Sequence, residues 1–142
     1  MIIKIYTDGS CIGNPGVGGW AAIILEDKIE KKISGNKIDT TNNQMELTAT
    51  IKALENYDSK KKIIIFTDST YVKDGITKWI KNWKVNNWKT ASKQNVKNKE
   101  LWEKLDTLAK FHNVQWKWVK AHAKNFYNNM ADDLARESAK KN

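Results

Sequence analysis

Apolar residues along this chain recur at two spacings, and the change from one to the other predicts the order of its elements. Continuous or alternating apolar runs bounded by Gly, Ser, Asp or Asn are typical of strands. Such runs cover residues 2–6, 20–25, 29–38, 63–66 and 114–119. Apolar residues three or four apart indicate helices that face a core. These patterns are formed by Leu47, Ile51 and Leu54, by Tyr71, Val72 and Ile76 within a helix predicted over 69–79, by Leu101, Leu105 and Leu108, and by Met130, Leu134 and Ala135.

The connections between these elements predict how the strands pair. A Gly/Asn/Pro-rich loop at 8–19 and a short turn at 26–28 join the first three strands, which favours an antiparallel meander. A helix then leads to the strand at 63–66, and a right-handed crossover makes that pairing parallel. Residues 123–129 are polar and are predicted as a loop before the last helix. The pattern predicts one α/β domain over residues 1–142, a five-stranded mixed sheet with helices on both faces.

Two of the predicted strands end in nearly the same sequence. Residues 5–10 are Ile-Tyr-Thr-Asp-Gly-Ser, and residues 65–70 are Ile-Phe-Thr-Asp-Ser-Thr. In each, the apolar run gives way at a Thr-Asp pair, so Asp8 and Asp68 are expected just past the carboxyl end of a strand. Ligands of open α/β sheets bind at that edge. If the two strands are parallel neighbours, both carboxylates lie in one crevice.

Composition narrows the class of partner. The net charge is +9 with a pI near 9.5, which favours a polyanion, nucleic acid before a membrane surface. Surplus lysine that only keeps the protein soluble is the alternative. Cys11 is the single cysteine, which excludes an internal disulfide and favours a reducing compartment. With neither a membrane-spanning apolar stretch nor a signal-peptide pattern, we expect a cytoplasmic protein.

Four acidic residues occupy positions that suit metal binding. Converging carboxylates stay ionised only when a cation neutralises them, and oxygen-rich sites suit Mg²⁺ or Mn²⁺. Two such ions about 3.5–4 Å apart serve in-line phosphoryl displacement. The candidates are Asp8, Glu46, Asp68 and Asp132.

Each acid also has a simpler interpretation. Asp8 taken singly is a common turn former, and Glu46 and Asp132 suit solvated helix faces or the dipole of a helix N-terminus. Spacing alone does not separate Asp132 from Asp133. His122 is either a surface residue of a loop or, being close to Asp132 in chain order, a candidate proton carrier.

Tryptophan and lysine alternate through residues 79–99, which we call the basic protrusion. Aromatic faces for bases and ammonium groups for phosphates together make a nucleic-acid surface. Tryptophan at helical spacing is also typical of a core, so Trp79 is equally suited to pack inward. The rings are Trp79, Trp83 and Trp88, among Lys78, Lys81, Lys84, Lys89, Lys93, Lys97 and Lys99.

In the order of its short motifs the chain closely resembles ribonuclease HI, the type 1 ribonuclease H family, over essentially its full length. The matching pieces are Tyr-Thr-Asp-Gly-Ser-Cys at 6–11, Gly-Asn-Pro-Gly at 13–16, Thr-Asn-Asn at 41–43, Met-Glu-Leu at 45–47, Thr-Asp-Ser at 67–69, Tyr-Val at 71–72, Gly-Ile-Thr at 75–77, Trp79, Asn-Trp-Lys at 82–84, Trp-Lys-Thr at 88–90, Trp-Val-Lys at 118–120, His122, Ala-Asp at 131–132 and Leu-Ala at 134–135.

The resemblance implies an endonuclease that hydrolyses the RNA strand of RNA·DNA hybrids with Mg²⁺ or Mn²⁺, leaves 5′-phosphate and 3′-hydroxyl ends and is monomeric. It implies a metal-binding catalytic role for Asp8, Glu46, Asp68 and Asp132, which selects Asp132 over Asp133, and a part for His122 in proton transfer or product release. The substrate-binding residues that it implies are Asn14, Asn42 and Asn43 at the minor groove, Trp79, Trp83, Lys84 and Trp88 on the DNA strand, and Thr41 and Asn98 at a DNA phosphate.

The chain departs from the family pattern at four positions. Asp39 replaces an arginine of the phosphate pocket, and a carboxylate there repels phosphate. Ala121 and Lys124 replace glycines around His122, and Asn129 replaces a glutamate before Asp132. We expect these changes to affect rate, metal preference and grip on the DNA strand rather than reaction type.

Two other functions fit the same fold. A hybrid-binding module without activity would bind and not cleave, and the intact set of four acids argues against it. An integrase-type or resolvase-type nuclease would cut duplex DNA, and the basic protrusion together with Asn42 and Asn43 argues against that.

Overall fold

A computed structural model describes residues 1–120 and 125–141 and contains one five-stranded sheet in the order β3-β2-β1-β4-β5. β1 pairs antiparallel with β2, and β2 with β3, whereas β1–β4 and β4–β5 are parallel. The predicted mixed sheet, a meander extended by two parallel strands, is confirmed. The strands are β1 (Ile2–Ile12), β2 (Gly16–Glu26), β3 (Ile29–Thr40), β4 (Lys62–Thr67) and β5 (Asn113–Trp118).

Helices cover both faces of this sheet, as predicted. Ile3 and Ile5 of β1 pack with α1 and α4 in the larger core, while Tyr6 points to the opposite face and packs with Ala131 of α5. Side chains alternate across a strand, so one strand serves both cores. The helices are α1 (Asn42–Glu55), α2 (Thr70–Asp74), α3 (Ile80–Val85), α4 (Lys99–Phe111) and α5 (Phe126–Lys140), with a π-helical turn (Gly75–Trp79) between α2 and α3. Within these residues no helix is long and apolar enough to cross a membrane.

The first connection is shorter than the sequence predicts. The loop expected at 8–19 is wrong in extent, because β1 continues to Ile12 and β2 already begins at Gly16. The antiparallel ladder between the two strands runs on to the pair Ile12–Val17, which keeps these small and polar residues extended. Asp8 therefore lies inside β1, opposite Ala21, rather than past the end of the strand.

Two helices also differ from their predicted limits. The last helix, α5, begins at Phe126, so the loop predicted over 123–129 is wrong from that residue on. Asn125 caps this helix, and its Oδ1 accepts a hydrogen bond from the Asn128 N–H at 2.9 Å. The helix predicted over 69–79 changes to a π-helical turn at Gly75. An added Cβ on Gly75 would lie 2.0 Å from the ring of Trp102, so glycine is needed for this contact.

The start of α1 is fixed against β1 by a cap and a close approach. Thr41 caps the helix, its Oγ1 accepting a hydrogen bond from the Gln44 N–H at 3.2 Å. A Cβ on Gly9 would lie 2.4 Å from the backbone nitrogen of Glu46 and 2.5 Å from the carbonyl carbon of Met45. Only glycine lets β1 come this near to the helix, and this contact sets the separation between Asp8 and Glu46.

We expect Gly9→Ala to lower the free energy of unfolding by about 2 kcal/mol, since the new methyl group meets backbone atoms that cannot rotate away. Urea denaturation measures the change. Ser10→Ala is the matched control and should leave stability nearly unchanged. Equal stability of Gly9→Ala and the unmodified protein would contradict the close approach.

Candidate active site

Three acidic side chains from three different elements meet at the place where β1 and β4 separate. The last parallel pair is Tyr6–Phe66; Asp8 follows in β1 and Asp68 follows the end of β4. Glu46 comes from the second turn of α1. One carboxylate oxygen from each of the three lies within 4.8 Å of the others. The predicted convergence of Asp8 and Asp68 is therefore present, and Glu46 joins them.

Burial gives this cluster unusual acid–base properties. Asp8 and Glu46 are each only 5% exposed. Burial and the charge of Asp68 raise the pKa of Asp8 to about 8, although hydrogen bonds from Glu46 and from the Gly9 N–H, the latter at 2.9 Å, oppose this shift. Burial, followed by the charge of Asp8, also holds the pKa of Glu46 well above its usual range. Without a cation, the cluster retains protons at neutral pH.

This donor set fits a hard divalent cation. Carboxylate oxygens are the ligands that Mg²⁺ and Mn²⁺ prefer, and a bound cation favours the ionised carboxylates that burial disfavours. The three residues line a cleft of about 370 Å³ whose walls are mostly polar. Its other lining residues are Gly9, Ser10, Asn42, Asn43, Ser69, Thr70, Tyr71, Asn128, Asn129 and Asp132.

The structure distinguishes the two adjacent aspartates of α5. Asp132 lines the cleft, although it is not one of the three closest carboxylates. Asp133 lines a separate depression with Lys32 and Glu137, and its side chain is 67% exposed. Arg136 pairs with both, at 3.1 Å to Asp132 and 2.6 Å to Asp133. Only Asp132 is therefore placed to act in the cleft.

The predicted minor-groove residues gather at the N-terminus of α1. Asn42 and Asn43 line the cleft, and Asn14 Oδ1 accepts a hydrogen bond from the Asn42 N–H at 3.0 Å. This bond ties the β1–β2 turn to the start of the helix. His122, the predicted proton carrier, lies outside the described residues, as do Ala121 and Lys124.

The tryptophans of the basic protrusion pack on one another instead of standing free. Ring centroids are 5.8 Å apart for Trp79 and Trp83, and 6.0 Å apart for Trp83 and Trp88. Trp83 lies 5.4 Å from the buried Trp102 of α4. All three rings of the protrusion are half-buried, so each combines a packing face with a solvent-facing edge.

The lysines of the protrusion stay in contact with water. Lys84 forms an ion pair of 2.8 Å with Asp106 of α4, and Lys110 contacts the same carboxylate at 3.5 Å. The Lys84 side chain is still 34% exposed. The Asp106 side chain is only 18% exposed, so the pair is partly buried, and a phosphate would reach the ammonium group from its solvent side.

Asn98 is held in a small network of polar side chains. Its Oδ1 accepts a hydrogen bond from Gln44 Nε2 at 3.2 Å, and its Nδ2 donates to Tyr71 Oη at 3.1 Å. It also lines a cavity of about 630 Å³ together with Lys37 and Lys99. Glu100 and Glu103 line the same cavity, so these lysines are balanced by two acids, and Asp39 is exposed close to the end of β3.

Among the cleft residues that the sequence does not identify as functional are Tyr71 and Asn128. The apolar periodicity assigns Tyr71 to a helix face. Asn128 is four residues before Asp132, and this i, i+4 spacing places both on one face of α5. An earlier predicted start of that helix would have revealed it.

A mixed α/β sheet that gathers carboxylates at the end of its parallel pair is typical of metal-dependent phosphoryl-transfer enzymes. The RNase H family model matches residues 2–140. Ribonuclease H of Ehrlichia canis (strain Jake) is 61% identical over 139 residues, which is 98% of this chain and 95% of that protein. The chain therefore belongs to the ribonuclease H family, and the resemblance seen in its motifs is confirmed.

Solved structures agree with this assignment. LC9-RNase H1, a type 1 RNase H with the type 2 active-site motif, superposes with a TM-score of 0.89 at 28% identity, over 98% of this chain and 72% of that one. LC11-RNase H1, solved in complex with RNA/DNA hybrid, has a TM-score of 0.74 at 23% identity, over 98% and 97% of the two chains. The second likeness establishes the fold alone.

The raised pKa of Asp8 makes the stability of the metal-free protein depend on pH. The folded state keeps a proton on Asp8 up to about pH 8, whereas the unfolded chain releases it near its ordinary value of 3.8. Stability contributed by this group is therefore complete below about pH 4 and is lost as the pH rises towards 8. We expect Asp8→Asn in chelator to be more stable than the unmodified protein by about 2 kcal/mol or more at pH 8, and by less at pH 5.

Urea denaturation in EDTA at both pH values measures this difference. Asp133→Asn, which changes an exposed carboxylate, serves as the control and should show no comparable gain. Equal stabilities of Asp8→Asn and the unmodified protein at pH 8 would contradict the protonated cluster.

Proposed function

We propose that this protein is an endonuclease that hydrolyses the RNA strand of RNA·DNA hybrids and leaves 5′-phosphate and 3′-hydroxyl ends. The observation that carries the proposal is the group formed by Asp8, Glu46 and Asp68, with carboxylate oxygens within 4.8 Å of one another in a polar cleft. Family membership and the hybrid bound to LC11-RNase H1, a protein of similar fold, support the choice of substrate.

Each acid has a separate part in this proposal. Two bound Mg²⁺ or Mn²⁺ ions would supply activation of the attacking water and stabilisation of charge on the leaving oxygen. Asp8 and Asp68 would hold these ions most directly, from the two sides of the point where β1 and β4 separate. Glu46 would hold one ion and touch the substrate ribose, and Asp132 would complete the other site from α5. His122 is proposed to carry the proton.

Substrate selection follows from the residues that surround the cleft. Asn42 and Asn43 line the cleft with the carboxylates, and Asn14 is joined to Asn42 by a hydrogen bond. Amide groups in this position can recognise the 2′-hydroxyls that distinguish RNA from DNA. Cleavage and recognition of the RNA strand then take place in one cleft. The proposal assigns the DNA strand to the basic protrusion, through Trp79, Trp83, Lys84 and Trp88, and one DNA phosphate to Thr41 and Asn98.

The site proposed for the DNA phosphate differs in charge from the family pattern. Asp39 adds a negative charge where the family pattern has an arginine. Lys37 and Lys99 line the cavity that Asn98 also lines, but Glu100 and Glu103 line it too, so the formal charges of its walls cancel. We propose that Asp39 therefore weakens the grip on the DNA strand at this position.

The same proposal includes one domain, a monomer and a cytoplasmic location. The single cysteine, Cys11, supports a reducing compartment. Sedimentation of the pure protein with and without hybrid tests the monomer, and a second subunit in either sample would contradict it.

A cleavage gel with paired variants tests the catalytic assignment. We expect metal-dependent cutting of the RNA strand of a hybrid, no cutting of RNA·RNA or DNA·DNA duplexes, and no cutting in chelator. Asp68→Asn and Asp132→Asn should slow cleavage by about a hundredfold or more, because each removes a charged group aimed at the reacting atoms.

Asp133→Asn is the matched control for Asp132→Asn, since both aspartates pair with Arg136. It should cleave at nearly the unmodified rate. Equal losses in the two variants would show that the helix rather than the cleft carboxylate is the source of the effect. An unmodified protein that cuts no hybrid with either metal would overturn the proposed function.

The salt dependence of hybrid binding tests the basic protrusion. Each phosphate contact adds about 0.9 to the slope of log affinity against log salt concentration. Lys84→Gln should therefore reduce that slope by about 1, measured by fluorescence anisotropy in Ca²⁺ to prevent cleavage. Lys110→Gln removes the other ammonium group paired with Asp106 and should leave the slope unchanged. Equal slopes for Lys84→Gln and the unmodified protein would show that Lys84 contacts no phosphate.

A further inference from the structure

One buried polar atom has no hydrogen-bond partner among residues 1–120 and 125–141, and it belongs to the cleft. Asn128 is 2% exposed, and its Oδ1 accepts no hydrogen bond from any of these residues. Its backbone N–H is used in the cap of α5, where it donates to Asn125 Oδ1. Buried amide oxygens are almost always paired, so an unpaired one indicates a partner that comes from outside these residues.

The surroundings of Asn128 indicate what that partner is. Asn128 lines the cleft with Asp8 and Asp132, and these neighbours present oxygen atoms that accept rather than donate once they are ionised. Asp132 lies one helical turn further along the same face of α5. An uncharged oxygen among carboxylates suits a hard cation or the water that such a cation holds, since Mg²⁺ and Mn²⁺ take amide as well as carboxylate oxygens.

We propose that the amide oxygen of Asn128 is an oxygen ligand of the divalent cation that Asp132 helps to hold. α5 then contributes two oxygen atoms one turn apart to this cation, one neutral and one charged. This inference rests on the proposed function, because it requires the metal ions of that function. It adds a residue that acts on the metal and has no assigned contact with the nucleic acid.

Asn129 provides a matched comparison. It follows Asn128 directly, lines the same cleft and carries the same side chain, but it is exposed. Water already satisfies the hydrogen-bonding groups of an exposed amide. Of the two asparagines, only Asn128 is therefore expected to contact the cation. The substitutions Asn128→Leu and Asn129→Leu therefore make the same chemical change, one at a buried unpartnered oxygen and one at a solvated oxygen.

Two measurements without nucleic acid separate a metal role from a structural one. Thermal unfolding in EDTA reports stability without metal, and calorimetric titration with Mn²⁺ reports metal affinity. Asn128→Leu should melt in EDTA at the same temperature as the unmodified protein or higher, because it removes a buried polar atom that lacks a partner. Its Mn²⁺ affinity should be about tenfold weaker.

Two further variants complete the design. Asn128→Asp keeps an oxygen at the position and adds charge, so it should bind Mn²⁺ at least as tightly as the unmodified protein at pH 8. Asn129→Leu should stay within about twofold of the unmodified affinity, in contrast to the loss expected for Asn128→Leu. A lower melting temperature of Asn128→Leu in EDTA with unchanged Mn²⁺ affinity would show that Asn128 is structural and would overturn the inference.

The outcome for the unmodified protein separates this inference from the proposed function. If the unmodified protein binds no Mn²⁺ and cuts no hybrid, both the proposed function and the role of Asn128 are wrong. If it binds Mn²⁺ and cuts the hybrid while Asn128→Leu binds Mn²⁺ equally well, only the inference fails.

Discussion

Repulsion between carboxylates held away from water is the constraint on which the rest of this structure depends. Asp8 and Glu46 are buried beside Asp68, an arrangement that an unsupported chain would relax by moving them apart. β1 prevents this because it is held on both sides, by β2 from Lys4 to Ile12 and by β4 as far as Tyr6. The carboxylates lie just beyond Tyr6, where β4 separates from β1. Because Gly9 has no side chain, α1 can pack closely against that point.

Tyr71 connects the cleft to the basic protrusion. It lines the cleft, while its hydroxyl accepts hydrogen bonds from Asn98 Nδ2 at 3.1 Å and from Trp102 Nε1 at 3.0 Å. Its ring lies 5.7 Å from that of Trp79. Tyr71 therefore joins, through direct contacts, the surfaces proposed for the RNA strand, the DNA phosphate and the DNA strand.

The sequence predicted the sheet and the meeting of Asp8 with Asp68 because strand periodicity and chain order determine both. It failed where tertiary contacts override local signals. Residues 16–19 look like a loop, yet the ladder with β1 keeps them extended. The first turn of α5 lacks apolar periodicity because Asn128 faces the polar cleft, so the helix start was missed. Spacing did not separate Asp132 from Asp133, since only the packing of α5 decides which one enters the cleft.

The contact between Trp83 and Trp102 has a consequence for how this protein can be re-engineered. Trp102 is fully buried, and the ring of Trp83 forms part of its enclosure. Segment 79–99 is therefore no detachable appendage: excising it to make a minimal version would open the hydrophobic interior to solvent. Grafting the same segment onto another scaffold would likewise require a tryptophan in the position of Trp102 and a glycine, like Gly75, in contact with its ring.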